Sequence, residues 1–357
     1  MPFSELQIEN FYLKVGRPRR GMRKIDTAEM AAAKTIGTQL FNKVFKEEVY
    51  ASFRSSLIQV RSLNQGLRIR LRIDAPELNE LPWEYLYSDV ARNFLSLSID
   101  TPIIRYIDLP QPPKVLTTKP PIRILAMISS PIDYPLLDVE REWEKLQAAL
   151  SNLQRKGLIK VDRLEKGTLS ELQRQLRRAD YHVVHFIGHG GFDENEQDGI
   201  LVLEKDNGRG QVVQSQYLGT ILHNHSPLRL VVLNACEGAR TSRQDPFAGT
   251  AQSLVHQGIP AVIAMQFEIT DNAAITFAEE FYSAISDGYP IDSALGEART
   301  AIFAQGNDIE WGTPVYFTRA QDGKLFSLEQ ISASDYNFSE NIQTGQIISE
   351  EYLKGLY

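Results

Sequence analysis

The chain has 357 residues, of which 43% are hydrophobic and 23% charged, enough to bury the core of one large or two modest domains. The formal net charge of −7 provides no basic excess for neutralising phosphates, so no nucleic-acid partner is expected. The sequence shows no run near the roughly 18 apolar residues of a membrane helix, and its first residues do not resemble a signal peptide. We therefore predict a soluble, cytoplasmic protein without a membrane partner.

The first part of the chain mixes helical and strand-like patterns. Residues 28–60 have the apolar periodicity of helices, whereas 67–74 and 94–100 alternate as half-exposed strands do. These patterns predict a small α+β subdomain over residues 1–108. The proline-rich stretch at 109–121 has no periodic apolar pattern and is predicted to be a linker.

After the linker, short apolar runs alternate with amphipathic helical stretches. The runs are IRILAMI, IKVDRLE, HVVHFIG, LRLVVLN, AVIAMQ and TPVYFTR. Such alternation is typical of βαβ units, so residues 122–322 are predicted to form an α/β core. This core would contain a parallel-rich, six-stranded sheet with helices on both faces. Residues 323–357 are polar and weakly patterned, and we predict only a C-terminal tail or docking segment there.

Two reactive side chains follow neighbouring apolar runs of the predicted sheet. His189 lies in the predicted loop GHGGF after HVVHFIG, and Cys236 follows LRLVVLN. In an open parallel sheet, positions just beyond the carboxyl ends of the strands face a common crevice. A thiolate is a nucleophile, an imidazolium lowers the pKa of a nearby thiol, and histidine can protonate a leaving amine. The pair therefore predicts acyl transfer, with Cys236 as nucleophile and His189 as general base.

The glycines beside His189 let the backbone approach a substrate closely. We predict that the backbone N–H groups of Gly190 and Cys236 form an oxyanion hole. His182 and His185 lie inside the apolar strand and are predicted to be structural. Only His185 and His189 share a strand face, and a single cysteine offers no multi-thiolate site, so neither a metal nor a cofactor is expected.

These segments resemble the CHAT family of caspase-like and separase-like cysteine proteases. The similar stretches include HFIGHGGFD, LVVLNACEGA, LPWEYLYSD, IRILAMISSP and the region beginning GIPAVIAMQ. The separation of 236 − 189 = 47 residues is also close to that in the caspase pattern, although Asn234 and Glu237 depart from that pattern. The resemblance implies a caspase-like fold and peptide-bond hydrolysis by Cys236 and His189. It also implies that bacterial defence or sensor modules switch such proteins on.

Substrate choice would depend on a pocket beside the two reactive residues. Related proteases that cleave after basic residues use a buried carboxylate to bind arginine. Asp193, Asp198 and Asp245 lie on the appropriate segments and are candidate pocket residues. An apolar or acidic preference remains open.

Three functions are compatible with this pattern. The first is an endopeptidase that acts on protein substrates, and the second is an inactive caspase-like scaffold that binds a partner protein. The third is a latent enzyme whose loops near 190–200 and 237–249 are reordered by an activator. Retention of both reactive residues argues against the scaffold. Because an unrestrained cytosolic protease would damage its own cell, we expect latency and a separate regulatory or activating protein.

Overall fold

The structure is a computed structural model that describes residues 11, 27–73, 75–193, 195–196, 198–234, 247–267, 269–307 and 309–329. Its α-helices are α1 (Ala28–Val44), α2 (Glu47–Ser62), α3 (Pro76–Asn79), α4 (Val139–Arg155), α5 (Leu169–Arg178), α6 (Ser215–His223), α7 (Ala248–His256), α8 (Asp271–Ser286) and α9 (Ile291–Ala304). Its strands are β1 (Ile69–Leu71), β2 (Tyr87–Ser88), β3 (Asn93–Phe94), β4 (Ile103–Tyr106), β5 (Leu116–Thr118), β6 (Ile122–Ile128), β7 (Ile159–Arg163), β8 (Val183–Ile187), β9 (His189–Asp193), β10 (Asp198–Glu204), β11 (Gly210–Gln214), β12 (Leu230–Asn234), β13 (Ala261–Met265), β14 (Pro314–Thr318) and β15 (Phe326–Leu328).

Side-chain caps define where several helices begin. Thr27, Asp138, Thr168 and Thr270 each accept a hydrogen bond from the backbone N–H three residues later. Such a cap satisfies one of the N–H groups left without a partner in the first helical turn and contributes about 1 kcal/mol. Among the helices of the described ranges, none has the length and apolar character needed to cross a bilayer.

The central sheet contains eight strands in the order β1-β4-β14-β13-β12-β8-β6-β7. The neighbouring strands are parallel, except that β13 and β14 are antiparallel. Six of the eight strands come from residues 122–322, which confirms the predicted α/β class and its six-stranded, parallel-rich core. The other two, β1 and β4, precede the predicted linker and extend the same sheet through the pairing of β4 with β14. The division into subdomains stays a prediction.

Helices cover both faces of the central strands, which explains their continuous apolar sequences. In β12, Leu230 and Val232 belong to the buried cluster that includes the apolar sides of α4, α8 and α9. Val231 and Leu233 point to the opposite face, where they join the cluster with α5, α6 and α7. Full burial of each such side chain contributes roughly 1.5–3 kcal/mol.

A second, antiparallel sheet of β11, β10 and β9 lies beside the carboxyl end of β8. The segment His189–Asp193, predicted as a loop, is strand β9 and pairs with β10. The prediction was wrong because two glycines hide the alternating pattern that would mark a strand. The partner strand β10 supplies the pairing that the local sequence does not reveal.

Residues 94–100 do not form the predicted strand. Only Asn93–Phe94 pairs with its neighbour, Tyr87–Ser88, and a 3-10 helix follows at Leu95–Leu97. The Leu95 carbonyl accepts the Thr101 hydroxyl at 2.7 Å and the Ser98 N–H at 3.2 Å, so local groups rather than a neighbouring strand satisfy it. Alternation of apolar residues did not distinguish these two outcomes.

A buried ion pair joins the segment before β2 to the central sheet. Glu84 and Arg105 form two hydrogen bonds, from Nε to Oε1 at 3.0 Å and from Nη2 to Oε2 at 2.8 Å, and both side chains are almost fully buried. Arg105 Nη2 also donates to the Leu81 carbonyl. The Gln266 amide, directly after β13, donates to Glu84 at 3.3 Å and to the Gly312 carbonyl at 2.7 Å. The contacts of Gln266 link the region before the predicted linker to the α/β core.

Replacing Glu84 with glutamine is expected to destabilise the protein by about 3–5 kcal/mol, because the Arg105 charge would stay buried without a carboxylate partner. Urea unfolding measures the difference. The matched control is Asp108→Asn, which breaks the exposed pair with Arg72 and should cost about 0–1 kcal/mol. Equal effects of the two substitutions would contradict this account of the buried pair.

Candidate active site

The candidate site begins where β8 and β12 end side by side. These parallel neighbours align Ile187 with Asn234, and the Gly188 N–H donates to the Asn234 carbonyl at 3.3 Å. His189 comes two residues after Ile187, and Cys236 comes two residues after Asn234 in the sequence. Cys236 itself lies outside the described residues. The structure thus places His189 at the carboxyl edge of the sheet, beside the strand that leads to the cysteine.

His189 is fully buried, and its ring is held by a backbone carbonyl. Its Nε2 atom lies 2.7 Å from the carbonyl oxygen of Pro135, and the Tyr134 ring lies 5.6 Å away between centroids. A carbonyl oxygen only accepts hydrogen bonds, so Nε2 must carry a proton and donate it. In the neutral imidazole, Nδ1 is then the nitrogen with the lone pair. The ring therefore has the tautomer that a base acting through Nδ1 requires.

The loop that supplies this carbonyl connects β6 to α4 and spans residues 129–138, here called the β6–α4 loop. Ser130 and Leu137 lie near the two ends of this loop and form what we call its neck. The Ser130 hydroxyl accepts the Leu137 N–H at 2.9 Å and donates to the Leu137 carbonyl at 3.2 Å. At its tip, the Asp133 carboxylate accepts the Gly210 N–H at 2.6 Å. Sequence reasoning missed Pro135, since a backbone carbonyl has no signature in residue type.

Gly190 has a packing role that is visible in the structure. A Cβ atom at this position would lie 2.2 Å from Cε1 of Phe247. Phe247 is fully buried and also packs edge-on against Phe186, with ring centroids 6.3 Å apart. The close approach of this ring to the backbone explains the glycine. The oxyanion role of the Gly190 N–H stays a prediction.

The predicted pocket carboxylates make local hydrogen bonds. Asp193 accepts the Asn195 N–H at 3.0 Å and stabilises the turn after β9, whereas Asp198 accepts the Gln216 N–H at 3.2 Å in the first turn of α6. Asp193 and Asp198 face each other across the β9–β10 pairing. Asp245 lies outside the described residues. A role in substrate binding stays a prediction for all three aspartates.

The two other histidines of the same segment are buried and hydrogen-bonded away from this edge. His185 Nδ1 lies 2.9 Å from the Tyr282 hydroxyl, and His182 Nδ1 accepts the Arg123 N–H at 3.0 Å. Desolvation lowers the pKa of each to about 4. Within the described ranges, no group of three His, Cys, Asp or Glu side chains is arranged to hold a metal ion.

A second histidine resembles His182 in its bonding. His225 Nε2 accepts the backbone N–H of Tyr181 at 2.9 Å, and desolvation lowers the His225 pKa. Because each accepting nitrogen must lack a proton, protonation of either ring at that nitrogen would place two N–H groups against each other. The amino end of β8 is therefore held by two neutral histidines.

A family model described as the CHAT domain matches residues 34–322. Among solved structures, the Arg-specific cysteine proteinase gingipain R is 12% identical over 90% of this chain and 75% of that chain, with a TM-score of 0.43. The Saccharomyces cerevisiae separase–securin complex is 16% identical over 88% of this chain and 20% of that chain, with a TM-score of 0.42. The complex of Porphyromonas gingivalis RgpB pro- and mature domains is 13% identical over 90% and 77%, with a TM-score of 0.45. A search of curated protein sequences finds no match.

The free energy of unfolding is expected to fall as the pH decreases from about 6.5 towards about 4. The folded-state pKa values of His182 and His225 are lowered, so the unfolded chain binds protons first and acidification favours it. Urea unfolding near neutral pH and at about pH 5 measures this loss.

The double variant His182→Asn/His225→Gln places an amide oxygen near each position of the accepting nitrogen. This oxygen accepts the same hydrogen bond but does not bind a proton as imidazole does. It should lose less stability on acidification than the wild-type protein. His256→Asn, at an exposed position, is the matched control for removing a histidine side chain. A double variant with the wild-type pH dependence would rule out this explanation.

Proposed function

The chain belongs to the CHAT domain family, and on that basis we propose that it is a cysteine endopeptidase in which Cys236 is the nucleophile and His189 the general base. The observation that carries this proposal is the hydrogen bond between His189 Nε2–H and the Pro135 carbonyl, which leaves Nδ1 to take a proton. Family membership supports the protease class. The pairing of the two residues is our inference.

Chain geometry supports that pairing. Two residues extend at most about 7 Å, and neighbouring strands lie about 4.8 Å apart. His189 and Cys236 each follow the aligned pair Ile187 and Asn234 by two residues. This equal spacing from an aligned strand pair supports the pairing of Cys236 with His189.

The proposed reaction begins when His189 Nδ1 takes the proton from the Cys236 thiol. The thiolate attacks the carbonyl carbon of the scissile peptide, and the backbone N–H groups of Gly190 and Cys236 stabilise the resulting oxyanion. The imidazolium then protonates the leaving amine, which breaks the C–N bond and leaves a thioester. Water, deprotonated by His189, hydrolyses the thioester and regenerates the thiol.

The Pro135 carbonyl would contribute most in the charged states of this cycle. Its hydrogen bond to Nε2–H becomes charge-assisted when His189 is an imidazolium, and such bonds are roughly twice as strong as neutral ones. The Nε2–H···O bond can therefore be kept in both the neutral and the charged ring. In this arrangement a backbone group orients the base, and no third side chain is required.

The proposal includes latency. The enzyme acts on a protein substrate after a separate protein or effector reorders the segments around the site, in the setting of bacterial defence signalling. The contexts implied for the family, in which sensor modules switch such proteins on, support this part of the proposal. Asp193, Asp198 and Asp245 remain the proposed carboxylates for a basic substrate side chain.

Covalent labelling with a panel of peptidyl acyloxymethyl ketones tests the chemistry. Intact-mass measurement should show one adduct on the wild-type protein and none on Cys236→Ala or His189→Ala, because attack needs both the thiol and its base. His256→Ala, at an exposed position outside the site, should label like the wild-type protein.

Latency predicts that the purified chain labels slowly and that lysate containing its native partners accelerates the reaction. If no peptide labels the protein even in that lysate, the result would favour the scaffold function over the endopeptidase. Equal rates with and without partners would refute latency alone.

A further inference from the structure

Glu204, the last residue of β10, connects three parts of the structure through its carboxylate. Oε1 accepts the Ser130 N–H at 2.9 Å, and Oε2 accepts the Gly167 N–H at 3.2 Å. The backbone N–H of Glu204 also donates to the Gly167 carbonyl at 2.8 Å. One half-buried side chain thus ties the start of the β6–α4 loop and the β7–α5 connection to the end of β10.

The bond to Ser130 fixes the part of the β6–α4 loop that matters for His189. The Ser130 hydroxyl holds Leu137 through both its N–H and its carbonyl, so the short segment between them, which contains Pro135, is closed at its neck. Immediately before it, the Ser129 hydroxyl donates to the Val202 carbonyl of β10 at 2.9 Å. A displacement of the neck would therefore move the Pro135 carbonyl.

Strand β10 also holds the base itself. Val202, two residues before Glu204, is the register partner of His189 in the β9–β10 pairing. The same strand therefore positions the imidazole through backbone pairing and the orienting carbonyl through the Glu204 carboxylate. Because β10 holds both segments, the contact of 2.7 Å between His189 Nε2 and the Pro135 carbonyl can be kept.

We propose that Glu204 is a positioning residue for the protease reaction and that it holds the Pro135 carbonyl against His189 Nε2–H. This inference rests on the proposed function. Glu204 acts through Ser130 and the β6–α4 loop. Without it, the loop shifts and Nε2–H loses its acceptor. The neutral ring is then free to carry its proton on Nδ1, which removes the lone pair that the thiol needs.

The first test measures labelling of Cys236 by a reactive peptidyl ketone in Glu204→Ala and Glu204→Gln, at a temperature where both variants are folded. In Glu204→Ala, the maximal labelling rate kinact should fall about 10- to 100-fold, while the half-saturating concentration KI stays within about twofold. Glu204→Gln keeps one accepting oxygen and should be intermediate. Asp206→Asn removes an exposed carboxylate from the same hairpin and should behave like the wild-type protein. An unchanged kinact, or an effect confined to KI, would overturn the inference.

The second test requires no activity. Amide hydrogen exchange in the peptide covering residues 130–138 should be faster in both Glu204 variants and unchanged in Asp206→Asn. If the wild-type protein is never labelled but the loop exchanges faster in the Glu204 variants, the proposed function fails while the control of the loop by Glu204 stands. Unchanged exchange in this peptide would overturn the inference even if the protein proves to be a protease.

Discussion

The hydrogen bond from His189 Nε2–H to the Pro135 carbonyl is the interaction on which the proposed chemistry depends. Because a carbonyl accepts and never donates, this single contact determines which ring nitrogen carries the proton. It directs the basic nitrogen, Nδ1, away from the Pro135 carbonyl. A backbone group can perform this role at any residue type, provided that the fold holds it in place.

Several sets of contacts in the fold hold the Pro135 carbonyl and His189 in place. The parallel pairing of β8 with β12 brings two chain segments to one edge, and the β9–β10 pairing fixes the backbone of His189 as it leaves the main sheet. The β6–α4 loop is held at its neck by Glu204 and at its tip by Gly210. Further away, the buried Glu84–Arg105 pair joins the segment before β2 to strand β4 of the sheet. The site is therefore a product of long-range contacts rather than of one motif.

The core of the fold could be predicted from sequence because its strands and helices carry strong, separate periodicities. His189 could be identified as a candidate from its position at a strand end, although its segment GHGGF was wrongly predicted to be a loop. The roles of the Pro135 carbonyl and of the Glu204 carboxylate could not be predicted from the sequence, since both depend on tertiary contacts between segments distant in sequence. Likewise, residue type and position beside the reactive pair made Asp193 a pocket candidate, whereas its bond to a turn N–H appears only in three dimensions.

The proposed chemistry depends most directly on the tautomer of His189. The most direct measurement is ¹⁵N NMR of the histidine side chains in the full chain, with His189→Ala to assign the signals. We predict that neutral His189 is protonated at Nε2 and unprotonated at Nδ1, as the Pro135 carbonyl requires. A neutral His189 with its proton on Nδ1 would contradict the account, because that ring could neither donate to the carbonyl nor accept a proton from the thiol through Nδ1.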